Sequence, residues 1–193
     1  MENQTQDYFT RHAEHYEKTP GENSISTLDL ACGTGKLLEL AQEELSLKPG
    51  QLYGIDLTPA MINEAKNKPK LNGAQLVVGN VENLPYQDSM FDAITTTFSF
   101  HHFASDKALA EIKRVLKPGG VLAIADLCPP SWMSAKLFDQ LMIKAVKCNV
   151  GNYRGQDELS KFLVQNGFQP IYQNRAKGFV KSAVLLTLVK IPA

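Results

Sequence analysis

Two glycines and two carboxylates carry most of the chemistry that can be read from this 193-residue chain. Gly33 and Gly35 lie in Cys32-Gly33-Thr34-Gly35, directly after an apolar run at residues 25–31. Glycines at such a strand end let the backbone turn tightly and come close to a ligand. Asp56 closes the next apolar run, 21 residues beyond Gly35. A carboxylate there can accept hydrogen bonds from both hydroxyls of a ribose. The glycine turn and the acid together make a nucleoside-binding constellation. A dinucleotide site wants a third glycine, and that place holds Leu38. A P-loop wants G-x-x-x-x-G-K-S/T; Gly35-Lys36 is present, but Leu30 and Leu37 occupy the other required places. Asp29, four residues before Gly33, marks a third option. Its carboxylate can face an amine-bearing, positively charged ligand.

The elements that must position these residues alternate along the chain. Strands are predicted at residues 25–31, 52–56, 75–79, 91–98, 121–126, 168–174 and 180–189. Between the first two, residues 36–47 read as a helix with Leu37, Leu38, Leu40, Ala41 and Leu45 on its inner face. Thr58-Pro59 starts another helix, a capping hydroxyl followed by proline in the first turn. Ser105 caps a helix reaching Leu116, and Lys117-Pro118-Gly119-Gly120 turns it into the next strand. Helices are also predicted over 132–146 and 156–165, the second stopped by Asn166-Gly167. On the first of these, Trp132, Met133, Phe138, Leu141 and Met142 fit core better than an apolar substrate pocket. Repeated strand–helix alternation means an α/β fold, a parallel sheet covered on both faces. Ligands in such sheets bind beyond the carboxyl ends of the strands.

The length fits one domain over residues 1–193, with no repeat or linker to divide it. Within it, residues 1–24 read as a lid segment and residues 129–155 as a substrate-side insertion. Tyr8, Phe9, His12 and Tyr16 fall roughly along one side of a short polar helix in that lid. Lys+Arg and Asp+Glu both number 20, which removes the commonest electrostatic reason to expect nucleic acid or an anionic membrane as partner. The first ten residues are polar and do not read as a signal peptide. The longest apolar stretch, residues 183–191, is strand-sized and far short of the roughly 20 residues a membrane span needs. Cys32, Cys128 and Cys148 are odd in number and irregular in spacing, so neither a disulfide framework nor a metal site is expected. A cytoplasmic, cofactor-dependent enzyme fits these bounds.

Leu28-Asp29-Leu30-Ala31-Cys32-Gly33-Thr34-Gly35 resembles motif I of the class I S-adenosylmethionine-dependent methyltransferases. Tyr53-Gly54-Ile55-Asp56-Leu57-Thr58-Pro59-Ala60-Met61 is similar to that family's second motif. Gly79-Asn80-Val81-Glu82-Asn83-Leu84-Pro85 is similar to its adenine-binding segment. Phe91-Asp92-Ala93-Ile94 and Leu116-Lys117-Pro118-Gly119-Gly120 match the signatures at strand four and before strand five. Five motifs in order, from Ile25 to Asp126, are a specific combination. The ubiquinone and menaquinone C-methyltransferase branch is the nearest in character. The resemblance implies a Rossmann-like, doubly wound, seven-stranded sheet, mostly parallel with an antiparallel last strand. It implies S-adenosylmethionine as cofactor, with S-adenosylhomocysteine as product. Asp29, Ala31, Gly33 and Gly35 then receive the methionine end, and Asp56 the ribose. Leu57 and Met61 pack on the adenine, Asn80 and the Val81 backbone read its edge, and Thr97 lies beneath the cofactor. Two features depart from the pattern. Asn80 stands where the family carries Asp, so its carbonyl must accept the adenine amino hydrogens without charge. Ile25 follows Tyr16 by only nine positions, which shortens the lid.

The activity implied is methyl transfer to a small-molecule acceptor at a carbon or oxygen nucleophile, by a monomer or homodimer without nucleic acid. Methyl transfer from a sulfonium neutralises charge, so the protein mainly aligns the reactants and excludes water. A base is needed only where the nucleophile must lose a proton. His101, His102 and Asp126, near the tips of strands four and five, are the candidates. Each has a plain structural alternative, loop packing for the histidines and capping for Asp126. A protein that binds the cofactor for other chemistry, or for regulation, would need the same cofactor motifs. A cavity lined by apolar side chains would support a quinol-like or lipid-like acceptor; a polar, open one would count against it.

Overall fold

The computed structural model describes residues 25–146, 152–176 and 184–192. Among these, seven strands form one sheet: β1 (Thr27–Leu30), β2 (Leu52–Asp56), β3 (Gln75–Val78), β4 (Phe91–Thr97), β5 (Leu116–Leu127), β6 (Gln169–Ala176) and β7 (Val184–Lys190). Their order across the sheet is β3-β2-β1-β4-β5-β7-β6. Neighbours from β3 to β5 run parallel, and β7 runs antiparallel to both β5 and β6. This is the sheet that the resemblance implied. The helices are α1 (Lys36–Leu45), α2 (Pro59–Lys66), α3 (Phe100–Phe103), α4 (Asp106–Val115), α5 (Ala135–Val146) and α6 (Gln156–Gln165).

The sheet separates two apolar layers. Leu38 of α1 and Ile62 and Ala65 of α2 pack with Leu52, Leu71 and Leu76 on one side. Ala108, Leu109, Ile112 and Val115 of α4 and Leu159 and Leu163 of α6 pack with Leu28, Leu30, Ile94 and Ile124 on the other. Covered on both faces, β1 buries all four of its residues. The chain steps outward from β1 through β2 to β3, then returns to place β4 on the opposite side of β1. Strand order therefore reverses between β1 and β4, which opens a crevice at their carboxyl ends.

Local chemistry explains several boundaries and corrects others. Ser105 does cap α4, its Oγ accepting the Ala108 N–H at 3.1 Å. Thr58 is the residue before α2 but makes no side-chain cap; its own N–H donates to Asp56 Oδ1 at 2.8 Å instead. The turn expected at residues 117–120 is drawn into a longer β5, with a register shift between Phe91 and Ala93 beside it. Gly119 absorbs the bend at φ +77°. The helix expected from residue 132 begins only at Ala135, and its apolar residues do not all form core as expected. Phe138 is buried, whereas Leu141 is 47% exposed and Trp132, ahead of the helix, is 77% exposed. One helix face meets the protein and the other is left outside. The lid residues 1–24 and Cys148 lie outside the described residues.

Gly54, in the middle of β2, is a packing requirement. A Cβ there would meet Leu76, Leu38 and the Cys32 sulfur at 2.8–2.9 Å. Overpacking of this kind costs about 1–3 kcal/mol. Gly54→Ala should lower unfolding free energy by about that amount in urea denaturation.

Candidate functional site

The carboxyl ends of β1 and β2 are tied together by the glycine turn. Cys32 N–H donates to the Ile55 carbonyl at 3.0 Å, and Gly35 N–H to the Cys32 carbonyl at 2.8 Å. Gly33 N–H donates to Asp56 Oδ2 at 2.8 Å. Asp56 thus accepts two backbone N–H groups, from Gly33 and Thr58, one on each oxygen. Its carboxylate is half-buried and fixed in orientation beside the turn. Gly33 has φ +53°, and among the described residues, its chain neighbours aside, no atom lies within 4 Å of where its Cβ would be. Among those residues the space above the turn is a cradle that a side chain would fill. Gly35, at φ +73°, opens α1; a Cβ on it would come within 2.5 Å of Leu71.

Asp29 pairs in register with Thr95 of β4, so their side chains meet at the point where strand order reverses. Thr95 Oγ1 donates to Asp29 Oδ1 at 2.9 Å. Asp29 is 1% exposed. Burial pushes its carboxyl up to about 7, against the pull of the Thr95 hydrogen bond, and Asp56 adds repulsion in the same direction. A cation delivered to this position would restore the charged form. The same surroundings push the Cys32 thiol up to about 12, by burial first and then by Asp29 and Asp56. That thiol is inert at neutral pH.

Around this polar centre the protein leaves large apolar side chains in solvent. Leu57 is 70% exposed, Met61 43% and Phe98 54%. Leu57 precedes α2, Met61 lies in its first turn and Phe98 follows β4, so all three stand near the strand ends that border the crevice. Backbone strain points the same way. Ala31 and Phe98, just beyond β1 and β4, hold φ at 52° and 51°, a left-handed conformation that costs non-glycine residues of order 1–3 kcal/mol. Phe98 was not singled out by the sequence, which gives no signal for positive φ at an aromatic residue. Thr97 beside it is half-buried, and its carbonyl accepts the Ser99 hydroxyl at 3.1 Å.

The segment after β3 is joined to Asp56 through Gly79 N–H, which donates to the Asp56 carbonyl at 3.0 Å. Asn80 is exposed, and its Oδ1 accepts the Glu82 N–H at 2.9 Å, while Val81 is buried. Helix α4 clamps this loop. Arg114 donates to the Leu84 and Tyr86 carbonyls at 3.0 and 2.8 Å, and Glu111 accepts the Leu84 N–H at 2.8 Å. Arg114 in turn holds Glu111 below the usual carboxylate range. Sequence reasoning gave α4 no part in the site.

On the other side of β4 the three remaining candidates come together. His101 and Asp126 are both buried, and His101 Nδ1 lies 2.9 and 3.0 Å from the two Asp126 oxygens. Asp126 also accepts the His101 N–H and the Leu127 N–H, each at 2.8 Å. The His101 ring stacks on Tyr153 at 4.1 Å, and His102 lies tilted against it at 4.0 Å. His102 is exposed; its partial burial and the neighbouring His101 hold it below the usual imidazole range. Beside the pair a cavity of about 10 Å³ is lined by Phe100, Asn152, Tyr153 and Arg154 among others. The last three also line an open groove of about 380 Å³ with Ala135, Asp139 and Glu158. That groove is open and more polar than apolar, which counts against a quinol-like or lipid-like acceptor.

The sequence profile of a family described as "Methyltransferase domain" matches residues 28–124. The chain belongs to this family, and to its class I S-adenosylmethionine-dependent kind. A 2-phytyl-1,4-naphthoquinone methyltransferase of Nostoc punctiforme is 34% identical over 139 residues, covering 69% of this chain and 60% of that protein. A demethylmenaquinone methyltransferase of Thermus thermophilus is 39% identical over 107 residues, 53% of this chain and 47% of its own length. The chain thus spans roughly half the length of such relatives. Among solved structures, a methyltransferase of Aquifex aeolicus matches with a TM-score of 0.66 at 22% identity, over 93% of this chain and 89% of its own. One from Methanosarcina mazei has a TM-score of 0.68 at 20% identity, over 89% and 94%. These structures share the fold.

Two measurements check the cofactor side. Asp56→Ala removes a charge-assisted acceptor worth about 1.5–3 kcal/mol and frees the Gly33 turn as well. S-adenosylhomocysteine affinity by calorimetry should fall by about one to two decades. Asp29 makes the same binding pH-dependent. A cationic amine placed against Asp29 requires its carboxylate ionised, so affinity should drop as pH falls through about 7, by up to about tenfold per unit for one proton. In the unliganded protein the sign is opposite. The stability that Asp29 contributes is whole below its ordinary value of 3.8 and is lost as pH rises toward 7.

Proposed function

We propose that this chain transfers a methyl group from S-adenosylmethionine to a small-molecule acceptor, at a carbon or oxygen nucleophile. The observation that carries this reading is the pairing of a buried Asp29 with an Asp56 pinned to the Gly33 turn, below exposed apolar side chains. That set suits a ligand with a cationic amine, a ribose and a flat base. When bound, S-adenosylmethionine supplies an electrophilic methyl group on a sulfonium. Asp29 with the Gly33–Gly35 turn and Ala31 holds the amino-acid end. Asp56 orients the ribose, and Leu57 and Met61 flank the base. Asn80 and the Val81 backbone meet its edge, and Thr97 lies beneath the reacting end. The fixed carboxylates spare any reorganisation cost during transfer.

Residues 1–193 are read as one methyltransferase domain, working as a monomer or homodimer. Residues 129–155 serve the acceptor side, consistent with Ala135, Asp139, Asn152, Tyr153 and Arg154 bordering the groove. The names of the relatives suggest an aromatic quinol-type head group. The polar, open groove counts against a quinol-like or lipid-like acceptor with an apolar tail, so the aromatic ring rests on those names alone. None of the helices among the described residues is long and apolar enough to cross a membrane.

Methyl-labelled S-adenosylmethionine, incubated with reduced naphthoquinones, phenols and small amines, tests the reading. Labelled product with stoichiometric S-adenosylhomocysteine is the expected result. Tight cofactor binding with no labelled product from any acceptor would overturn it, and favour a binding or regulatory protein.

A further inference from the structure

The His101–Asp126 pair is built more elaborately than loop packing needs. Asp126 meets the backbone N–H groups of His101 and Leu127, and any fixed acceptor would serve there. Its further contact with His101 Nδ1 brings an imidazole and a carboxylate together in a buried place, which is costly unless they pair. Since the carboxylate accepts the two backbone groups, the hydrogen in the third contact comes from Nδ1. In the neutral ring the other nitrogen, Nε2, then carries the lone pair. Tyr153 stacks on one side of the ring, His102 leans on it at 45°, and Phe138 meets Tyr153 edge-on. These contacts fix the imidazole in orientation.

Its position is equally specific. Thr97 of β4 pairs with Ala125 of β5, and Phe98 N–H donates to the Ala125 carbonyl at 2.8 Å. Asp126 follows that pair directly, and His101 follows Phe98 by three residues. The imidazole therefore stands just past the β4 tip, on the side away from Asp29 and Asp56. The cavity of about 10 Å³ beside it has room for about one water molecule. Through Asn152, Tyr153 and Arg154 that cavity adjoins the open groove.

We propose that His101, held by Asp126, is the proton acceptor of the methyl-acceptor site, and that the groove admits a molecule with an acidic hydroxyl of the phenol or hydroquinone class. This rests on the methyl-transfer reading above. In the step inferred, the acceptor O–H bond breaks and its proton goes to His101 Nε2, directly or through one water. The electron pair stays on the acceptor, on oxygen or delocalised to a ring carbon, and forms the new bond to the methyl carbon. The S–CH₃ pair remains on sulfur. Asp126 compensates the imidazolium charge without taking the proton itself. His102, Tyr153 and Arg154 are the other titratable groups facing the pair.

His101→Asn tests the proposal, because its amide nitrogen keeps a donor toward Asp126 while Nε2 is lost. Melting temperature and S-adenosylhomocysteine affinity should stay close to the parent's. With 1,4-naphthohydroquinone as acceptor, kcat should fall by roughly 10²–10⁴. The residual rate should climb with pH, following ionisation of the acceptor itself. A kcat within about threefold of the parent, or a loss with the parent's pH profile retained, would overturn the assignment. A second readout needs no turnover. Nitrogen chemical shifts of His101 should show Nδ1 protonated and Nε2 bare in the parent near neutral pH. The reverse tautomer would refute the pairing. Where the parent methylates no acceptor, the methyl-transfer reading fails and the tautomer alone decides the proton assignment.

Discussion

A single carboxylate holds the site together. Asp56, at the tip of β2, accepts the Gly33 N–H from the neighbouring strand's turn and the Thr58 N–H from the start of α2. Those two bonds fix the angle at which the chain leaves β1 and the place where α2 begins. The main-chain carbonyl of the same residue receives Gly79 N–H, so the loop after β3 hangs from it too. Three strand ends are registered against one another at one residue. A residue that merely bound ligand would not need this many partners, and one that merely shaped a turn would not need to face an open crevice.

Asp29 works by contrast with Asp56. Asp56 is half-buried and richly hydrogen-bonded, whereas Asp29 is fully enclosed with the Thr95 hydroxyl against one oxygen. Two acids one strand apart therefore sit in very different surroundings. Burying a carboxylate costs stability, and a cationic ligand recovers that cost on binding. The polar groups on the far side of β4 are arranged by the same economy. His101 and Asp126 are each tolerable in the interior because they face one another.

Much of this was legible in the residues themselves. Alternating apolar runs located the seven strands, because a doubly covered sheet demands them. The glycine turn, Asp29 and Asp56 were legible because their chemistry depends on strand ends, which the sequence marks with glycine and proline. What escaped depended on distant packing. Helix α3, four residues long, has no periodicity to read. The faces of α5 looked like core because helical spacing shows that a stripe exists, not that anything covers it. Thr58 lost its capping role to Asp56, a competition between neighbours that composition cannot rank. Tyr153 joined His101 across 52 positions of chain, and only folding brings them together.

The central claim is that Asp29 and Asp56 form one ligand-binding unit across β1 and β2. A crystal structure with S-adenosylhomocysteine tests it most directly. The expected result has the ribose hydroxyls within hydrogen-bond distance of Asp56, with its Gly33 bond kept, and the amino group on the Asp29 side of the turn. A ligand bound elsewhere, or an Asp56 carboxylate rotated away from both ribose and Gly33, would contradict it.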